Sequence, residues 1–436
     1  MKAIIILTIS QLLIAASLMA QDTVYISKNE VLEKVAINNS QAKLADKDAE
    51  LANADVQQSN SLFLPQVSAS YTAMTTNNPL MAFGSRLNQA ILTPEDFNPN
   101  LLNNPDNVQN FATEIMVLQP LLNLDGVHMR KAAKVKQEAM HLQAARTKEY
   151  LELEVSKTYM KLQLAYEAVA VLERAVKTSA EALSMVTDYY EEGMLQKADL
   201  LDVQVRASEV KNQLRYAKTN VRNVSDELAI LMGEQSETVV YKPLEAASNE
   251  FNQAVFSESL STSRKDILAM QKAVLGQEHM LKSTKMGLMP RLNAFGSFQM
   301  YDNQIMSFDA SGYLIGMRLS WNIFDGYKTV AQTASARLQV EKARITHEAY
   351  VKEQQKELDK TNRMLVDAEN KISLSQLAYE NAAEAYRMRK DRFEQGLEKT
   401  ADLLMAETQT FKKELEYKQA IFEYNFTKEY LHFLTR

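Results

Sequence analysis

The 436-residue chain contains no cysteine. That excludes a disulfide framework, a thiolate metal site and the acylated N-terminal cysteine of a lipoprotein. Glycine, with 11 residues, and proline, with 8, are also scarce. No glycine-rich phosphate loop occurs among so few. The five histidines, His128, His141, His279, His347 and His432, never stand four apart, so no helix face carries the paired imidazoles of a zinc enzyme. Glu138 with His141 and Glu429 with His432 share helix faces, but a metal centre of that kind needs further carboxylates from other helices. In a chain this rich in Glu they read as chance neighbours, and Glu191-Glu192 reads as solvated surface. The net charge of -6 disfavours a phosphate-binding surface. The expectation is a protein with no catalytic activity, no cofactor, no metal and no nucleic-acid partner.

Long apolar runs are missing too, except at the N-terminus. Met1-Lys2, the apolar stretch from Ala3 to Leu18, and Ala20 before Gln21-Asp22-Thr23 have the layout of a secretory signal peptide, expected to cover residues 1–20. No other window is suited to a transmembrane helix, so membrane insertion would have to use strands.

What the chain does have is two stretches, 127–192 and 327–395, without one Gly or Pro. The first repeats Val155, Leu162, Val169, Val176 and Leu183 every seventh residue, with Thr158, Ala165, Leu172, Ser179 and Val186 three places after each. The second repeats Leu358, Leu365, Ile372, Tyr379, Tyr386 and Phe393, with Thr361, Ala368, Ser375, Ala382 and the misfit Arg389. These are coiled-coil patterns. About 65 helical residues would reach roughly 98 Å, too long for the core of a compact domain. Adding 203 to a residue number between Val155 and about Leu231 gives its counterpart: Gly193 and Ala198-Asp199-Leu200-Leu201 map to Gly396 and Ala401-Asp402-Leu403-Leu404. The chain is an internal two-fold repeat, divided into 21–233, a connector at 234–260, and 261–436.

Each half reads as short helix, strand, strand, long helix, short helix. In the first, a helix over 28–62 ends at Pro65, and a strand alternates Gln66, Ser68, Ser70 and Thr72 with Val67, Ala69, Tyr71 and Ala73. Residues 75–110, rich in Asn and Pro, read as a long exposed loop before a second strand from Phe111 to Leu121. The connector shows little pattern. In the second half, Tyr313, Ile315, Met317, Leu319, Trp321 and Ile323 alternate with polar or small residues, as a lipid-facing barrel strand requires. A half-buried strand of a soluble sheet would look similar. Four strands cannot close a barrel and lipid does not tolerate open edges, so several chains would share one.

Taken together, Phe63-Leu64-Pro65 and Leu288-Met289-Pro290 before a strand in each half, Leu118-Gln119-Pro120-Leu121 with Asp125-Gly126, Leu319-Ser320-Trp321 with Asp325-Gly326, and Gly-x5-Asp-Leu-Leu after each long helix resemble the TolC family of outer-membrane efflux proteins. The resemblance covers nearly the whole mature chain. It implies a mainly helical subunit with a small β part: coiled-coil hairpins forming a periplasmic α-barrel, and four strands contributing to a trimeric, twelve-stranded barrel in the outer membrane of a Gram-negative bacterium. It further implies passive conduction in a tripartite efflux or type I secretion system, with a periplasmic adaptor and an inner-membrane transporter as partners. The rival reading is an exported coiled-coil spacer without channel activity.

The resemblance places adaptor contacts at the turns holding Gly193 and Gly396. It places an acidic periplasmic gate at Asp402, with Asp199 and Asp202 as further candidates, because Met405 stands where Asp202 would repeat. Asp199 and Asp402 would equally suit a helix start as caps. Tyr71, Tyr313 and Trp321 are the candidate aromatics of the membrane interface.

Overall fold

The computed structural model describes residues 22–235, 239–247 and 259–436. The expected signal peptide and parts of the connector lie outside them. The elements run β1 (Asp22–Ile26), α1 (Lys28–Asn38), α2 (Ser40–Asn60), β2 (Gln66–Thr76), α3 (Pro79–Asn88), α4 (Pro99–Asn103), β3 (Val108–Leu122), α5 (Leu124–Glu191), α6 (Lys197–Leu231), β4 (Val239–Pro243), α7 (Lys265–Met286), β5 (Arg291–Asp302), β6 (Ala310–Ser320), α8 (Lys328–Glu394) and α9 (Thr400–Thr435). They fall into two units, one of Met1–Lys47, Leu142–Leu268 and Ala349–Arg436, the other of Asp48–His141 and Ala269–Glu348.

The second unit holds a four-stranded antiparallel sheet in the order β2-β3-β5-β6, leaving β2 and β6 as edges. Its register sets Ser70 opposite Glu114, Glu114 opposite Gln299, and Phe298 opposite Tyr313. Because side chains alternate across a strand, this register gathers Ser70, Thr72, Glu114, Gln299 and Tyr301 on one face. Tyr71, Ile115, Phe298, Tyr313 and Ile315 gather on the other, where all five are exposed; Tyr313 is 79% and Ile315 77% accessible. The alternation expected through Ile323 outruns its strand. β6 stops at Ser320, and Trp321 beyond it donates from Nε1 to the Leu288 carbonyl at 3.0 Å.

Three expectations are corrected. The helix expected over 28–62 is two helices broken at Asn39, whose backbone is extended at φ -61°, ψ 131°. Buried Asn39 accepts from the Gln41 and Ala42 amides at 2.8 and 3.2 Å and donates to the Leu231 carbonyl at 2.9 Å, so the break is a built cap. The loop expected over 75–110 is mostly ordered: β2 extends to Thr76, β3 starts at Val108, and α3, a 3-10 turn at Pro94–Phe97 and α4 lie between them. The patternless connector holds β4, which pairs in parallel with β1, Asp22 opposite Val239. That strand is fixed on α6 by the Tyr241 amide donating to Ser225 Oγ at 2.9 Å.

The first unit is built from the heptads. Thr158, Ala165, Leu172, Ser179 and Val186 are all buried, as are Val155 and Leu162. Leu151, Val155, Tyr159 and Leu162 of α5 pack with Val221, Val224 and Leu228 of α6 and with Val31 and Val35 of α1. In the second repeat Leu358, Leu365 and Ile372 of α8 pack with Ala420, Tyr424 and Leu431 of α9. The last turn of α9, whose carbonyls lack helical partners, is capped by two buried arginines: Arg146 reaches the Phe433 carbonyl and Arg264 the Leu434 carbonyl, each at 3.2 Å. Glu149 and Asp266 neutralise them at 2.9 and 3.1 Å, and these buried charges hold because every one is paired.

Candidate functional site

The candidate site is the pair of helix turns that the repeat places in register, α5–α6 and α8–α9, both in the first unit. Each ends its long helix in the same way. Gly193 at φ +74° and Gly396 at φ +71° adopt the left-handed conformation. The Met194 amide donates to the Tyr189 carbonyl at 2.8 Å and the Leu397 amide to the Arg392 carbonyl at 2.9 Å, the bond that closes a helix C-terminus by reversing the chain. A Cβ at either glycine would meet no atom within 4 Å, so glycine is required for φ and not for space. Beneath the turns Ala182, Val186, Val203, Phe393 and Leu403 form one buried cluster. Tyr189 of the first hairpin joins the second, its hydroxyl donating to the Glu394 carbonyl at 3.2 Å and its ring 5.9 Å from that of Phe393.

The three candidate gate carboxylates sit differently. Asp199 accepts from the Gln196 amide at 3.2 Å in a capping box at the start of α6. Asp202, on the next turn, is exposed. Asp402 forms no comparable cap; it lies 3.9 Å from Arg389, which also meets Glu398 at 3.3 Å, while Arg392 meets Glu398 at 3.1 Å. Arg389, the misfit of the heptad series, is the cation that reaches both Glu398 and Asp402.

One functional group lay beyond the reach of the heptad reading. Glu407 of α9 is wholly buried and neither of its carboxylate oxygens has a partner. Burial pushes its pKa up to about 7, partly opposed by Arg206. Burial also raises the Tyr386 hydroxyl to about 12, with Glu407 adding to the effect. The available signal was Glu407 standing four residues after Leu403 and three before Thr410, on the buried side of α9.

Of the candidate interface aromatics, Tyr71 stacks on Phe111 at 6.4 Å on the apolar sheet face, Tyr313 projects from that face, and Trp321 lies just past the end of β6. Glu138 meets Lys272 at 2.5 Å, His141 meets Asn53 at 3.0 Å, and Glu429 meets Lys28 at 3.2 Å, so each of these residues serves packing contacts between elements. Among the described residues no helix is long and apolar enough to cross a membrane.

An open antiparallel sheet with one apolar exposed face, joined in sequence to paired coiled-coil hairpins, is the plan of an outer-membrane channel subunit. The outer membrane efflux protein family model matches residues 31–234 and 257–425, and the chain belongs to that family. It is therefore an outer-membrane protein of a Gram-negative bacterium, of the TolC type foreseen from its motifs. No curated protein sequence matches it significantly. Among solved structures it is similar to CusC (13% identity, 96% of this chain and 95% of that one, TM-score 0.81). It is also similar to the CmeC outer membrane channel of Campylobacter jejuni (17%, 94% and 85%, 0.79) and to VceC of Vibrio cholerae (14%, 94% and 96%, 0.77). These likenesses fix the fold.

Proposed function

We propose that the protein is the passive exit duct of a tripartite efflux or type I secretion system, working as a homotrimer with a periplasmic adaptor and an energised inner-membrane transporter. The observation that carries this reading is the four-stranded sheet with two open edges and an exposed apolar face. Lipid accepts such a sheet only within a closed barrel, and four strands are too few to close one. Tyr71, Tyr313 and Trp321 then anchor the barrel at the membrane interface. The turns at Gly193 and Gly396 receive the adaptor. Asp402, with Asp199 and Asp202, forms acidic rings in the closed periplasmic end, where three-fold symmetry triples each carboxylate and favours cations. The shared turn geometry supports the docking role, and the pairing of Asp402 with Arg389 supports a charge-controlled closure.

Cross-linking of detergent-extracted protein should give a trimer, and planar bilayers should show cation-selective channels. Asp402→Asn and Asp199→Asn/Asp202→Asn should weaken both cation preference and block by multivalent cations without loss of the trimer. Gly193→Val and Gly396→Val should impair adaptor pull-down while leaving membrane insertion intact. A water-soluble monomer that forms no channels would leave only the exported spacer.

A further inference from the structure

The segment between β2 and β3 lies on the polar face of the sheet, and it is a folded unit. Asn78 caps α3 by accepting from the Met81 amide at 3.2 Å, and Thr93 and Asp96 form a capping box for the turn at Pro94–Phe97. Arg86 is ion-paired to Asp96, and the Phe83 and Phe97 rings meet edge to face at 5.7 Å. Gly84 and Ser85 of α3 face Ser70, Thr72, Glu114 and Tyr301 across a cavity of about 390 Å³. Those four strand residues all belong to the polar face.

The anchor is Gln89, buried just after α3. Its side-chain amide nitrogen lies 2.9 Å from the Gln109 carbonyl, 2.8 Å from Asn110 Oδ1 and 3.0 Å from the Asp302 carbonyl. Asp302 in turn accepts from the Asp309 amide at 2.7 Å and from Ser307 Oγ at 3.0 Å, organising the β5–β6 turn. One glutamine thus ties the segment to β3 and to the end of β5, on the side of the sheet where both strand-to-strand turns lie.

We infer that residues 77–107 form a constriction inside the outward mouth of the barrel, held over the lumen face by Gln89. This rests on the proposed function, since in a closed barrel the apolar face meets lipid and the polar face becomes the lumen. A segment seated on the polar face then occupies channel cross-section, and three copies enter one mouth. Leu80, 81% exposed, and Leu87, 56% exposed, stand seven residues apart on a flank of α3. They supply apolar side chains to a narrowing that resists hydration.

The test is single-channel conductance of the full chain in planar bilayers. Thr76 is paired with Val108, so residues 77–107 can be replaced by a two-residue Asn-Gly turn without disturbing the register. With both channels carrying Arg389→Ala to relieve the periplasmic closure in series with the mouth, the shortened channel is expected to conduct at least about twice as well as its full-length counterpart, and to admit large solutes that the counterpart excludes. Equal conductance of the two would overturn the inference. Should the shortened variant not insert, Gln89→Leu in the same background decides: raised or noisier conductance supports the constriction, and an unchanged trace overturns it. A wild-type protein that forms no channel at all would instead sink the proposed function, and this inference with it.

Discussion

The two helix turns share a backbone and differ in what holds them. In the first, Val186, Tyr189 and Leu195 stand where the second has Arg389, Arg392 and Glu398, 203 residues later. Val186 is wholly buried and Tyr189 and Leu195 pack around it. Their counterparts form a partly exposed ion-pair chain reaching Asp402. The first turn is therefore closed by apolar burial, which salt and pH barely affect near neutrality. The second shares that apolar cluster through Phe393 and Leu403 but adds surface charges that salt screens. A duplicated hairpin has kept its turn geometry while the side chains around the turn have diverged, apolar in one copy and charged in the other. The buried carboxyl is on that side too: Glu407 occupies the place of Gln204.

The largest effect should come from Glu407. Its pKa rises from the ordinary 4.5 to about 7 on folding, so the folded chain binds the extra proton between those values and stability falls as pH climbs through them. Glu407→Gln should therefore stabilise the chain at pH 8 by on the order of 3 kcal/mol, read as a raised thermal midpoint, and change little at pH 4.5. Equal effects at both pH values would show that ionisation of this carboxyl is not what costs stability. Next in size, Val186→Ala should destabilise the first turn by about 2 kcal/mol through the cavity it leaves. Thermal unfolding in detergent should find that loss unchanged between 0.1 M and 1 M salt, and a salt-dependent loss would erase the contrast between the turns. Arg389→Ala should cost the least, under about 1 kcal/mol, as expected for a half-exposed pair. That loss should vanish in 1 M salt, and the variant should open more readily in bilayer recordings.

How much was legible depended on how local each determinant is. The bounds of α5 and α8, Leu124–Glu191 and Lys328–Glu394, fall within three residues of those read from the missing Gly and Pro, because a heptad stripe and its breakers lie in one continuous stretch. The break at Asn39 escaped the pattern because its local cap on Gln41 and Ala42 is one Asn among many, and only its bond to the Leu231 carbonyl, far away in sequence, singles it out. β1 and β4 were hidden because two five-residue strands, far apart in sequence, signal nothing until they pair. The segment after β2 reads as a loop from sequence because its Asn and Pro residues are breakers in isolation. In place, Asn78 and Asn98 cap α3 and α4, and Pro79 and Pro99 open them.

By itself the sequence determined the repeat, the long helices, the strand faces and the family, since each is written in periodicity or in motifs that recur at fixed spacing. Only the tertiary structure decided which face of the sheet α3 covers, that Arg389 balances Glu398 and Asp402, and that Glu407 is sealed without a partner. Those outcomes depend on groups brought together from distant parts of the chain, where burial and charge act through space and no local pattern records them.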